Sequence, residues 1–124
     1  MNFAPKASGL HMLIADDDHS LYCRRFQDEF RGKVCVSAVD CGDLAVRLFQ
    51  EHDYDFVVLD CMPGSGSETA RKIREISGSV KLAGLSASWN DENSKEAGLN
   101  YYSPNSHMVI GYIKLTMDQI GSEA

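Results

Sequence analysis

The chain has 124 residues, and its 18 acidic and 12 basic residues give it a formal net charge of −6 at pH 7. This length fits one domain with a hydrophobic core of its own. The acidic balance and the lack of a basic stripe argue against direct binding to nucleic acid, and no apolar run approaches the ~20 residues of a membrane span.

Strand-like and helix-like segments alternate along the chain after residues 1–10, which we interpret as a flexible N-terminal tail. Short apolar runs bounded by polar or turn residues predict the strands. In chain order, the predicted strands are His11–Ala15, Lys33–Val39, Phe56–Leu59, Val80–Leu85 and Leu99–Tyr102.

A helix is predicted after each strand, from apolar stripes, caps and stop signals. The first is capped by Asp18 or Ser20, the second begins at Gly42-Asp43, and the others cover Glu68–Ile76, Asp91–Ala97 and Met108–Ile120. The alternation over residues 11–121 predicts one α/β domain. We expect a flavodoxin-like, doubly wound (βα)5 three-layer sandwich, whose five parallel strands lie in the order 2-1-3-4-5.

Acidic side chains come at the ends of two predicted strands. Asp16 and Asp17 follow the first strand, and Asp60 follows the third. Ligands of open α/β sheets bind beyond the carboxyl ends of the strands, where Ser86 and Ser103 would also lie. Crowded carboxylates repel one another unless a cation lies between them, and Mg²⁺ prefers such oxygen ligands.

These residue types suit phosphate chemistry on a carboxylate. Asp60 could accept a phosphoryl group as an acyl phosphate. Asp16 and Asp17 would hold Mg²⁺, which neutralises charge on the phosphoryl oxygens, and the Ser86 hydroxyl could hydrogen-bond one of those oxygens. The alternative for the acidic run is a solvated turn that caps a helix.

From His11 to Ile120 the chain resembles the receiver domains of response regulators. The resemblance is carried by five motifs in the family's order. They are Leu13–Asp18, Ala38–Ala45, Tyr54–Asp60, Met62-Pro63 and Leu85–Ala87.

The resemblance implies a receiver domain over residues 11–121 that acts in a two-component phosphorelay. Asp60 would be phosphorylated by a histidine kinase, a histidine phosphotransfer protein or a small phosphodonor. Asp17, Asp60 and the backbone carbonyl near Met62 would bind Mg²⁺ directly, and Asp16 largely through water. Ser86 would sense the phosphoryl group. The domain would assist at most its own phosphorylation and dephosphorylation. A homodimer is a further possible assembly, and neither nucleic acid nor a membrane is expected as a direct partner.

The chain departs from the family pattern after its fifth predicted strand. Ser103-Pro104 stands where the family has Lys-Pro, and Asn105 takes that place if the count starts from Gly98. The same ambiguity leaves Tyr101 and Tyr102 as alternatives for the switch aromatic.

Two segment lengths also differ from the family pattern. Met62-Pro63 follows Asp60 one residue early, and the segment from Ser86 to Gly98 is shorter by almost a helical turn. Together with the missing lysine, these departures support an alternative: a degenerate receiver that acts as a phosphorylation-independent interaction module. A Mg²⁺-dependent phosphatase or phosphotransferase is a third hypothesis, disfavoured because 124 residues leave no lid over a substrate.

The four cysteines lack C-x-x-C spacing and zinc-finger spacing to histidine. They are Cys23, Cys35, Cys41 and Cys61. We interpret them as reduced thiols in a cytoplasmic protein. Two disulfides are the alternative, although disulfide frameworks are typical of shorter, loop-rich secreted chains.

Overall fold

The computed structural model describes residues 9–16, 19–40, 42–60 and 65–123, and for 19–23, 60, 65 and 120–123 only the backbone. Strands and helices alternate through the whole described chain. The strands are β1 (Leu10–Asp16), β2 (Val34–Val39), β3 (Phe56–Asp60), β4 (Lys81–Leu85) and β5 (Tyr101–Ser103). The helices are α1 (His19–Glu29), α2 (Gly42–Glu51), α3 (Ser65–Ile76), α4 (Asp91–Ala97) and α5 (Ser106–Glu123).

All five strands pair in parallel in one sheet, in the order β2-β1-β3-β4-β5. The predicted flavodoxin-like fold and strand order are therefore confirmed. β1 and β3 lie at the centre of the sheet, which explains why they are apolar on both faces.

Two core layers cover the two faces of the sheet. Leu13 and Ala15 of β1 face one layer, which contains buried residues of α2, α3 and α4. Met12 and Ile14, the alternate residues of the same strand, face the other layer with α1 and α5. Strand side chains alternate between faces, so one uniformly apolar strand supplies both layers.

Several element boundaries differ from the sequence prediction. α3 begins at Ser65, three residues before the predicted start at Glu68. α5 begins at Ser106, two residues early, because the Asn105 side chain accepts the His107 N–H at 2.8 Å. β5 begins at Tyr101 instead of Leu99. α1 already includes His19, so Ser20 lies within the helix and is not its cap, while Asp18 lies outside the described residues.

The predicted N-terminal tail lies mostly outside the described part of the chain. Its residues 1–8 are not described, and its last residue, Leu10, is the first residue of β1. The tail and the domain boundary therefore stay predictions. None of the helices described is long and apolar enough to cross a membrane.

The short helix α4 is found where it was predicted, and both of its ends are capped. Asn90 and Asn93 exchange hydrogen bonds between side chain and backbone, 2.7 and 2.8 Å long, in a capping box. Gly98 ends the helix at φ +82°, a left-handed conformation that favours glycine.

Arg74 of α3 joins the chain segments around the end of α4. Its guanidinium donates to the Gly98 carbonyl at 2.7 and 3.2 Å, and to the carbonyls of Val80 at 2.9 Å and Ser77 at 3.3 Å. It also donates to the Asn100 side chain at 3.1 Å. One planar donor group thus fixes the end of α3, the start of β4 and the α4–β5 connection.

Replacing Arg74 with methionine should lower the free energy of unfolding by about 2 kcal/mol, because the part-buried carbonyls of Val80 and Gly98 lose charged donors. Urea unfolding measures the change. The matched control is Arg71→Met on the same helix, whose exposed side chain should contribute less than about 0.5 kcal/mol. Equal effects of the two substitutions would contradict the role given to Arg74.

Candidate functional site

Two of the predicted site residues come together at the carboxyl edge of the sheet. Asp16 and Asp60 are the last residues of β1 and β3 and are direct partners in the parallel pairing of these strands. Paired parallel strands lie about 4.8 Å apart. Asp16 is 1% exposed. Little water screens so deeply buried a carboxylate, which therefore attracts positive charge strongly.

The rest of the predicted Mg²⁺ site falls outside what the structure describes. This holds for Asp17, for Met62 and for the side chain of Asp60. Within the described ranges, no group of three or more His, Cys, Asp or Glu residues is arranged to hold a metal ion. The predicted ligand atoms of Asp17, Asp60 and Met62 lie outside the described part of the structure, so the Mg²⁺ site stays a prediction.

Ser86 lies at the same edge, directly after β4. Its backbone N–H donates to the Ser103 carbonyl at 3.2 Å, which ties it to the end of β5. Its half-buried hydroxyl oxygen accepts the Ser88 N–H at 3.1 Å. A hydroxyl that accepts one hydrogen bond can still donate its own hydrogen. Ser86 thus lies at the predicted edge of the sheet, and its hydroxyl oxygen takes part in a local turn.

The two residues that could take the place of the family's lysine lie at different points around the end of β5. Ser103 is the last residue of β5 and pairs with Leu85 of β4, whereas Asn105 lies beyond the strand and caps α5. Ser103, 8% exposed, uses its hydroxyl to accept the Asn105 N–H at 3.0 Å. The strand thus ends on Ser103, and which of the two residues takes the place of the family's lysine stays a prediction.

Arg25 is a cationic residue near this loop that the sequence reasoning missed. Its guanidinium donates to the Ser106 hydroxyl at 3.0 Å and lies 3.1 Å from Nε2 of His107. These contacts link α1 to the first turn of α5. A separation of 81 residues leaves no local pattern that could have indicated this contact.

The two candidate switch aromatics point to opposite layers of the core. Tyr101 stacks on Tyr112 of α5, with ring centroids 4.7 Å apart. Tyr102 packs against the other layer, and its hydroxyl donates a hydrogen bond to Asp91 of α4. This bond is the main cause that raises the pKa of Tyr102 above its ordinary value of 10.0.

The link between Tyr102 and Asp91 should break in alkali. The raised pKa of Tyr102 means that the link is complete below pH 10.0 and is lost as the pH rises through the folded-state pKa. The phenolate absorbance of the wild type minus that of Tyr102→Phe measures this titration. Asp91→Ala should lower the pKa towards its ordinary value and Glu92→Ala should not; a shift common to both variants would refute the assignment.

Comparison with known proteins supports the fold. No family model matches the sequence. Over 68 residues the chain is 43% identical to the virulence sensor protein BvgS of Bordetella pertussis, a match that covers 52% of this chain and 5% of BvgS. The chain therefore spans about 5% of the length of the curated relatives it matches.

Solved structures match over most of the chain. A CheY-like response regulator receiver domain protein from Methanospirillum hungatei superposes with a TM-score of 0.77 at 21% identity, covering 94% of this chain and all of that one (100%). The response regulator TrrA of Thermotoga maritima, in complex with Mg²⁺ and beryllium fluoride, gives 0.70 at 25% identity over 85% of this chain and 96% of TrrA. The BeF3-activated DrrB receiver domain gives 0.73 at 24%, over 90% and 99% of the two chains. The chain thus has the fold of CheY-like response-regulator receiver domains, as its sequence indicated.

Proposed function

We propose that this chain is a phosphoacceptor receiver domain of a two-component phosphorelay, with Asp60 as the phosphorylated residue. The observation that carries the proposal is the register between β1 and β3, which sets Asp60 beside the buried Asp16 at the carboxyl edge of the sheet. Ser86 follows the next strand at the same edge. A nucleophilic carboxylate, a second carboxylate and a hydroxyl are the groups that phosphoryl transfer to aspartate needs.

The donor set also fits Mg²⁺. Asp16, Asp17, Asp60 and the backbone carbonyl of Met62 would hold the ion, and all four supply the oxygen ligands that a hard cation prefers. Bound there, Mg²⁺ would neutralise charge on the phosphoryl oxygens. The structures of TrrA and DrrB support the proposal by analogy, because both have this fold and were solved with beryllium fluoride.

Asp60 and Ser86 would each have a separate role in the transfer of the phosphoryl group. Asp60 would attack the phosphorus, so that an oxygen–phosphorus bond forms while the donor's bond to phosphorus breaks. The Ser86 hydroxyl would donate its hydrogen to a phosphoryl oxygen. The donor would be a histidine kinase or histidine phosphotransfer protein in the cytoplasm, and the domain would act as a signalling module instead of turning over an external substrate.

Beryllium fluoride with Mg²⁺ tests the proposal, since it imitates a phosphoryl group on aspartate. At about 100 times its dissociation constant, the mimic should stabilise the wild type by about 2.7 kcal/mol. This should raise Tm by several degrees. Asp60→Asn should abolish the response, because the substituted side chain cannot coordinate beryllium as a carboxylate does.

The matched control for this experiment is Asp53→Asn. Asp53 is exposed and precedes β3, at the opposite end of the strand that Asp60 terminates. This variant should respond like the wild type. A wild type that does not respond, or an Asp60→Asn variant that responds in full, would refute the proposal.

The alternative function is a protein-interaction module that works without phosphorylation. Ser103 at the end of β5 favours it, because a serine hydroxyl cannot form the ion pair that a lysine forms with a phosphoryl group. Two results together would establish this alternative. The folded wild type would not bind the mimic, and the wild type and Asp60→Asn would bind the kinase equally tightly.

A further inference from the structure

Trp89 packs closely against Gly84, which lies in β4 two residues before Ser86. The Trp89 side chain is 8% exposed, in the core layer that contains α3 and α4. A Cβ atom on Gly84 would lie 2.6 Å from the indole Nε1, 2.7 Å from its Cδ1 and 2.8 Å from Cδ1 of Leu99. Only glycine leaves room for this packing, which we call the Trp89 contact.

The Trp89 contact leaves one polar group unsatisfied. The indole Nε1 is buried and has no hydrogen-bond acceptor among the residues that the structure describes. A buried tryptophan N–H usually finds a partner, and a donor without one costs free energy that water would recover. The packed position of the indole is thus favoured by apolar burial and opposed by its N–H group.

The turn that carries Trp89 depends on the Ser86 hydroxyl. The backbone bond from the Trp89 N–H to the Ser86 carbonyl is 3.5 Å long, beyond the usual range of such bonds. The bond from the Ser88 N–H to the Ser86 hydroxyl is shorter, at 3.1 Å. The hydroxyl that would sense a phosphoryl group therefore also holds the turn that places the indole.

We propose that the packed position of Trp89 is coupled to the orientation of Ser86, and that the indole leaves the Trp89 contact when Ser86 turns to a phosphoryl group on Asp60. This inference rests on the proposed function. When the Ser86 side chain rotates towards the phosphoryl group, its oxygen moves away from the Ser88 N–H, the turn loosens, and the indole N–H reaches water. The packed indole and the engaged Ser86 are then alternative states, and a ligand that favours one disfavours the other.

Trp89 is the only tryptophan in the chain, so its fluorescence reports this contact alone. Addition of Mg²⁺ and beryllium fluoride should shift the emission to longer wavelength and increase quenching by acrylamide. Calorimetry measures binding of the mimic in the same samples. Binding that depends on Asp60 but leaves the emission of Trp89 unchanged would overturn the inference and leave the proposed function standing. Absence of binding would overturn both.

Two substitutions should move the affinity for the mimic in opposite directions. Gly84→Ala displaces the indole and should tighten binding by at least about fivefold, the low end of couplings between two sites. Trp89→Phe keeps an aromatic ring without the N–H group, so it should stabilise the packed state and weaken binding. Gly78→Ala is the control, since a Cβ there meets nothing within 4 Å.

The affinities of the variants for the mimic test the inference even if one of the variants folds poorly. Gly84→Ala and Trp89→Phe with the affinity of the wild type would mean that the contact only fills space, and the inference would be wrong. Should Gly84→Ala not fold, the emission of the wild type and the affinity of Trp89→Phe still give the answer.

Discussion

Parallel pairing of β1 with β3 sets the positions on which the candidate site depends. Strand side chains alternate between the two faces of the sheet, so a shift of one residue would move every core residue of a strand to the wrong layer. The two apolar layers therefore fix the register, and the register places Asp16 beside Asp60. The packing of the core thus places two aspartate positions side by side. Repulsion between their carboxylates would cost free energy, and a cation between them would lower that cost.

The fold could be predicted because its signals are local. Each strand is a short apolar run, each helix has a stripe or a cap, and the alternation of the two excludes most other architectures. Boundaries were less predictable where side chains act on the backbone, as Asn105 does at the start of α5. Asp16, Asp60 and Ser86 could be placed at one edge because each lies at the end of a strand or directly after it.

The parts of the site that the sequence did not reveal depend on distant contacts. Arg25 meets Ser106 across 81 residues, and the Tyr102 hydroxyl reaches Asp91 in a different element. Gly84 lies within the predicted strand Val80–Leu85, and only the packing of Trp89 shows why a larger residue does not fit there. Such contacts are decided by tertiary packing, on which no residue spacing in the chain gives information.

The seven residues of α4 are too few to form a stable helix alone. Its order comes from side chains at its ends: Asn90 and Asn93 at the first turn, Tyr102 beside it and Arg74 at the last. Each attachment can be weakened by a single substitution. The order of α4 can therefore change through single substitutions while the register of β1 and β3 keeps Asp16 beside Asp60 at the carboxyl edge of the sheet.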